Sequence, residues 1–263
     1  MNNIHKTAVI SPNAKVHSSV KIGPYSIIDA DVKIGKSCCI GPHVHITGKT
    51  QIGENTEIHT GAVIGDKPQD IDFSTENSYT KIGNDCVIRE YVTIHRGSEE
   101  QSSTVLGNSI MLMAFSHVGH DCIVGNNTVL VNGTLLAGHV QIAENVILSA
   151  NCVVHQFVRI GRLTMVSAYA RIVQDITPFC LLAEGDRIYG PNSIGLKRAG
   201  IAIKARKAIK KTVKTLFFSD LSQKEALDQI TQEFADIPEI EELVEFVETS
   251  KRGLMSGRRR RDK

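Results

Sequence analysis

Ile, Val or Leu returns at every sixth position from Ile4 to Ile172 in one register, filling 26 of 29 slots and missing only at Asp70, Glu76 and Glu100. A period of six fits neither the 3.6-residue period of a helix nor the plain alternation of a strand. It fits a three-faced prism with one hexad per face, the parallel β-helix reading of a hexapeptide repeat. A smaller class stands four residues after each slot, among them Val20, Ser26, Cys38, Thr50, Cys86, Cys122, Thr134 and Cys152. Large and small side chains therefore alternate toward the axis of a narrow coil. Gly23, Gly35, Gly53, Gly125 and Gly161 fall at the corners, where glycine is expected to supply positive φ. Counted end to end, the slots predict nearly ten turns, a prism roughly 45 Å tall at strand spacing.

Two interruptions keep the register. Ile64 to Ile82 spans 18 residues, read as one full turn, and Ile94 to Leu106 spans 12. Residues 66–80 and 97–104 are read as polar loops leaving the prism, carrying Pro68, Asp70, Asp72 and Glu99. Loops projecting from a rigid scaffold often carry function, and the alternative is a neutral insertion.

A net charge of +2 over 263 residues gives no polyanion-binding signal, so no nucleic acid is expected. No apolar run reaches membrane-spanning length and Met1–Ile10 lacks a signal-peptide core, so a cytoplasmic protein is expected. Four of the six cysteines, Cys38, Cys86, Cys122 and Cys152, occupy small inward slots. They read as core residues, and with no CxxC spacing neither a structural metal nor another cofactor is expected.

The pattern changes after Pro178. Residues 1–190 are assigned to the prism and 191–263 to a C-terminal helical domain with a basic tail. Residues 201–217 read as a helix with Ala205, Ala208, Ile209, Val213 and Leu216 on one face. Ser222 and Glu225 form a capping-box signature for a second helix. Pro238 starts a third, with acidic residues in its first turn. The tail from Gly257 through Arg258 to Arg261 reads as solvated and disordered.

Within 106–177, residues 18 apart should stack. His120, Gly138 and Gln156 then share one column, Asp121 and His139 the next, and His155 lies beside Gln156. His117 is one strand step earlier. A polar prism edge needs no function, but such a gathering of histidines also suits chemistry. Zinc hydration would need three neutral imidazoles around an open position. The known hexapeptide zinc enzymes use His-x4-His, whereas here Cys122 stands where the second histidine would fall. Acid–base work fits better: His120 as general base, Asp121 orienting it, and the Gly138 N–H able to stabilise an oxyanion.

Five segments together carry a resemblance: Pro68-Gln69-Asp70, Val92-Thr93-Ile94-His95-Arg96-Gly97, His117-Val118-Gly119-His120-Asp121, Leu136-Ala137-Gly138-His139 and Val154-His155-Gln156-Phe157. They resemble the acyl-carrier-protein–UDP-N-acetylglucosamine acyltransferases, and Gly195-Leu196-Lys197-Arg198 with the helical C-terminus extends the likeness over nearly the whole chain. The resemblance implies an all-β left-handed parallel β-helix with a C-terminal α-helical domain, a homotrimer, and active sites between subunits. It implies that His120 deprotonates the 3-OH of UDP-N-acetylglucosamine for attack on a 3-hydroxyacyl thioester, without an acyl-enzyme, as the first step of lipid A synthesis. The Gly138 N–H would hold the oxyanion. Asp70, His117, His139 and Gln156 would contact the glucosamine unit, His155, Asn192 and Arg198 the diphosphate and uridine side, and His95 is assigned to substrate binding.

Asp72 replaces a frequent lysine of the family, and Ile194 and Ala199 replace an acidic residue and an arginine. N-acylation of a 3-amino sugar therefore stays open. Ala168 and Arg171, in a stretch bulkier than the family's glycine-rich version, are assigned to an acyl-length ruler favouring chains shorter than 14 carbons. Lys197, Arg198, Lys204, Arg206, Lys207, Lys210, Lys211 and Lys214 form a basic helical region. Acyl carrier proteins are acidic, so electrostatics would steer docking there. Other readings are a sister hexapeptide N-acyltransferase, a family that carries an additional N-terminal uridine-binding domain where here the repeat begins at Ile4, and a non-catalytic trimeric scaffold.

Overall fold

A computed structural model describes residues 3–183 and 185–257. Three parallel sheets form the faces of a left-handed β-helix. The first runs from Val9–Ile10 to Arg171–Ile172 through nine strands, and the second from Lys15–Val16 to Arg159–Ile160 through eight. The third runs from Lys21–Ile22 to Met165–Val166 and ends in the antiparallel hairpin Cys180–Ala183 and Arg187–Pro191. Most strands are two residues long, one outward and one inward. The inward hexad residues from Ile22 to Ile172 are buried, with Cys38, Cys86, Cys122 and Cys152 among them at 0 % exposure. Burial of this continuous apolar column stabilises a coil in which no single turn could hide its own inner face.

The corner glycines have a different cause from the one expected. Positive φ falls on the third corner residue whatever its type, as at Tyr25, Ser37, Asn55, Asp121, His139 and Phe157. Gly23, Gly35 and Gly125 do not have positive φ; a Cβ there would press on the backbone of the next coil, at 2.8, 2.8 and 2.6 Å respectively. Glycine is demanded by close approach of successive turns.

The turn count is also corrected. Ile52 pairs with Ile82 and Ile82 with Leu106, so each interruption advances the chain by a single face while its surplus residues bulge outward. The passage from Ile64 to Ile82 is one face step with a 12-residue excursion, not a full turn. Asp70, Glu76 and Glu100 lie in excursions and build no coil, which leaves about nine turns rather than ten.

Among the described residues four helices follow the hairpin, one more than expected: α1 Ser193–Arg198, α2 Ile203–Phe218, α3 Gln223–Phe234 and α4 Pro238–Glu248. The additional α1 is a single short turn whose length falls below what periodicity resolves. Ser222 caps α3 in a complete capping box with Glu225, and Pro238 opens α4. Ala205, Ala208, Ile209 and Val213 of α2 are buried, as are Ile240, Leu243 and Val247 of α4. The chain returns to the prism through bridges Asp175–Leu254 and Ile188–Gly257. Arg258–Arg261 of the basic tail lie outside the described residues. Among the described residues no helix is long and apolar enough to cross a membrane.

Candidate active site

The corner between the first and second sheets carries His120, Gly138 and Gln156 in successive coils, because His117 pairs with Leu135 and Leu135 with Val153 on the strands that feed it. His120 Nδ1 lies 2.8 Å from Asp121 Oδ2. The same oxygen accepts the Ser98 N–H at 3.0 Å and the Ser98 hydroxyl at 2.7 Å. Burial works against ionisation of Asp121, but hydrogen bonds from His120, Ser102 and Ser98 outweigh it and hold the carboxyl well below its usual range. A carboxylate only accepts, so Nδ1 of His120 carries the proton and Nε2 presents its lone pair.

The Cε1–Nε2 edge of the ring lies against Gly138. A Cβ on Gly138 would collide with Cε1 and Nε2 of His120, so glycine alone lets the imidazole settle over the next coil. The Gly138 N–H donates to no acceptor among the described residues. The hexad explains this. The second corner residue points its N–H away from the ladder, and Pro12, Pro24 and Pro42, which have no N–H, occupy the same position in earlier coils. Nε2 and a donor unpaired among the described residues thus lie side by side on successive coils.

His139 makes an edge contact with His120, ring centroids 5.1 Å apart, and stacks on Phe157 at 4.6 Å. Its Nε2 lies 3.8 Å from Asp121 Oδ2. His117 receives or donates a 2.7 Å hydrogen bond at Thr93 Oγ1 and meets His95 edge-on at 4.7 Å. Burial, with His95 and His120 nearby, pushes the His117 pKa down to about 4. His95 is likewise lowered, by burial first. Both are neutral near pH 7.

The structure gathers His95, His117, His120, Asp121, Gly138 and His139 within one chain. Gln156 and His155 lie exposed at the next coil, joined by the His155 ring and the Gln156 carbonyl at 3.2 Å. Asp70 is exposed on the first excursion, its carboxylate accepting the Asp72 N–H at 3.0 Å, without a hydrogen bond to the histidines. Asn192 is not brought to the cluster. It caps α1, accepting the Gly195 N–H at 3.0 Å while its amide donates to the Leu163 carbonyl at 2.9 Å. Arg198 ends α1, exposed.

Arg171 closes an outward column of the first sheet, His117–Leu135–Val153–Arg171, and Leu135 and Val153 are exposed at 41 % and 48 %. Ala168 stands exposed at the neighbouring corner.

Sequence reading missed Ser98, Thr93 and Phe157. Ser98 reaches Asp121 only because the second excursion folds back, which no spacing reveals; Phe157 could have been found as the residue one coil above His139. His120, Asp121 and His139 also present atoms close enough to hold a metal ion, but Nδ1 of His120 is already engaged by Asp121.

A model of the bacterial hexapeptide transferases matches residues 31–66 and 103–138, and a model of the second domain of UDP-N-acetylglucosamine O-acyltransferases matches residues 175–255. An acyl-[acyl-carrier-protein]–UDP-N-acetylglucosamine O-acyltransferase from Thermodesulfovibrio yellowstonii is 45 % identical over 257 residues, 97 % of this chain and 99 % of that one. The crystal structure of a UDP-N-acetylglucosamine acyltransferase from Bacteroides fragilis superposes with a TM-score of 0.92 at 37 % identity, covering 95 % of this chain and 99 % of that one. The Francisella novicida enzyme superposes with a TM-score of 0.91 at 35 % identity, covering 98 % and 95 %.

Proposed function

The chain belongs to the acyl-[acyl-carrier-protein]–UDP-N-acetylglucosamine O-acyltransferase family, and from that premise we propose the mechanism by which it acts. It is an acyltransferase, and the reaction is the first step of lipid A biosynthesis. Nε2 of His120 removes the proton of the sugar 3-OH as that oxygen attacks the thioester carbonyl of a 3-hydroxyacyl carrier protein. Asp121 holds the imidazole in the required tautomer and stabilises the imidazolium that forms. The carbonyl oxygen becomes an oxyanion, which the Gly138 N–H receives. Collapse breaks the C–S bond, and His120 returns the proton to the leaving thiolate. No acyl-enzyme is needed, because the sugar oxygen itself is the nucleophile.

One observation carries this reading: Nε2 of His120 packs against buried Gly138, whose N–H has no acceptor among the described residues. Neutral His117 and His95 suit hydrogen bonding to an uncharged sugar hydroxyl or amide better than binding of an anion. His139 and Gln156 complete the sugar side. Asp70 reaches the sugar from its excursion, and His155 and Arg198 the diphosphate and uridine, in a homotrimer whose clefts bring excursion and histidines together across subunits. Because its amide is committed to capping, Asn192 contributes by shaping the turn before Arg198. The acyl chain follows Leu135 and Val153 from His117 toward Arg171 and Ala168, three strand spacings or about 14 Å, which favours chains shorter than 14 carbons. The carrier protein docks on the exposed lysines of α2.

Purified protein assayed with UDP-N-acetylglucosamine, its 3-amino analogue and a panel of 3-hydroxyacyl carrier proteins tests this. O-acyl product is expected from the wild type and a loss of at least a hundredfold in His120→Ala, as expected for a general base. Equal turnover in both proteins would remove His120 from the mechanism.

A further inference from the structure

Four asparagines occupy the second corner position of the hexad: Asn84, Asn108, Asn126 and Asn132. Three of them cap the otherwise unpaired N–H of the coil below. Asn84 Oδ1 accepts the Glu54 N–H at 2.7 Å, Asn108 Oδ1 the Asn84 N–H at 2.8 Å, and Asn126 Oδ1 the Asn108 N–H at 2.7 Å. Asn132, one coil above Ala114, accepts no such bond among the described residues.

The residue before the capped N–H separates the two cases. It is Gly53, Gly83 or Gly107 beneath the three caps, and Met113 beneath Asn132. A Cβ on Gly83 would lie 2.6 Å from Asn108 Oδ1 and one on Gly107 2.5 Å from Asn126 Oδ1, with Gly53 crowded by Asn84 in the same way. At Gly107 the capping oxygen occupies the space of the missing Cβ, and at Gly53 and Gly83 it shares that space with the backbone carbonyl of the next coil. A side-chain cap therefore needs two things: an asparagine one coil up and a glycine one residue before.

The catalytic corner has the same turn, with positive φ on the third corner residue in both series, Asp85 and Asn127 in one, Asp121 and His139 in the other. Here the residue before Gly138 is Ala137, and one coil up stands Gln156. We propose that Ala137 is a positioning residue: its methyl group fills the place where a cap would sit and keeps the Gly138 N–H open for the reaction. The proposal rests on the reading of that N–H as the oxyanion donor.

Ala137→Gly, Gln156→Asn and the double variant test it by kinetics and crystallography. In the double variant, Asn at position 156 is expected to accept the Gly138 N–H. The kcat is expected to fall roughly a hundredfold below the product of the single effects, the scale of losing one oxyanion donor, with KM for the sugar nucleotide as in Gln156→Asn alone. A cap already present in Gln156→Asn alone, or absent from the double variant, overturns the role of Ala137 and leaves the oxyanion reading standing. A cap that forms while the effects on kcat merely multiply overturns the oxyanion reading and the proposal with it. Gly107→Ala gives a check independent of activity: its Cβ should expel Asn126, and Asn108 should lose amide-exchange protection. Unchanged protection there would refute the two-part rule.

Discussion

His117 shows how a single residue ties the site to the stability of the coil. Its pKa of about 4 in the folded chain lies below the ordinary value of about 6.5 in an unfolded one. Between these values the unfolded chain binds more protons, so stability rises with pH across the window and falls as pH drops from about 6.5 toward 4. The full loss is roughly 3 kcal/mol. His117→Gln removes this titration while a side-chain amide keeps a partner for Thr93. The midpoint of thermal unfolding should therefore fall less steeply between pH 7 and pH 4.5 in the variant than in the wild type, the remaining slope coming partly from His95. Parallel slopes would show that His117 is not held neutral by its surroundings. Asp121 loses stability in the same direction, with falling pH, but in a more acid window. Its depressed pKa contributes stability that is complete above the unfolded value and is lost progressively as pH falls from there toward the folded one, below the window where His117 acts.

At the scale of elements, the 67–78 excursion is held by a buried arginine. Arg96 is 3 % exposed; its Nη2 lies 2.7 Å from Glu76 Oε2, its guanidinium stacks on Phe73 at 5.2 Å, and Nη1 donates to the Gly65 carbonyl at 3.4 Å. Phe73 and Glu76 both belong to the excursion that carries Asp70, so the guanidinium sets where Asp70 stands. Lysine keeps the charge but loses the planar face and the fork. Arg96→Lys is expected to raise KM for the sugar nucleotide about tenfold, near 1.4 kcal/mol of binding, with kcat within a few-fold, because His120 and Gly138 are untouched. An unchanged KM in steady-state kinetics would detach Asp70 placement from Arg96. The motif containing Arg96 was visible in the sequence, but its task was not: Glu76 and Phe73 come from a segment with no periodicity, and the partners of an excursion are decided by where it folds back.

On the scale of the whole molecule, the proposed homotrimer is what would join the excursion to the histidines. Asp70 is exposed and makes no hydrogen bond to the histidines, while Leu135 and Val153 present apolar surface beside them. A trimer that seats one subunit's excursion against its neighbour's histidines accounts for both. Sedimentation velocity should therefore give a particle of three times the 28.8 kDa chain mass, and a monomer with full activity would refute shared sites. The hexad alone determined the coil, the inward residues, the burial of four cysteines and the stacking of His120, Gly138 and Gln156, because a strict repeat makes every coil copy the last and turns sequence distance into spatial distance. What broke the repeat was left to tertiary structure. Ser98 beside Asp121, the capping task of Asn192, the one-face step from Ile64 to Ile82 and the crowding that demands the corner glycines all depend on how segments without period, or backbones of adjacent coils, meet in space.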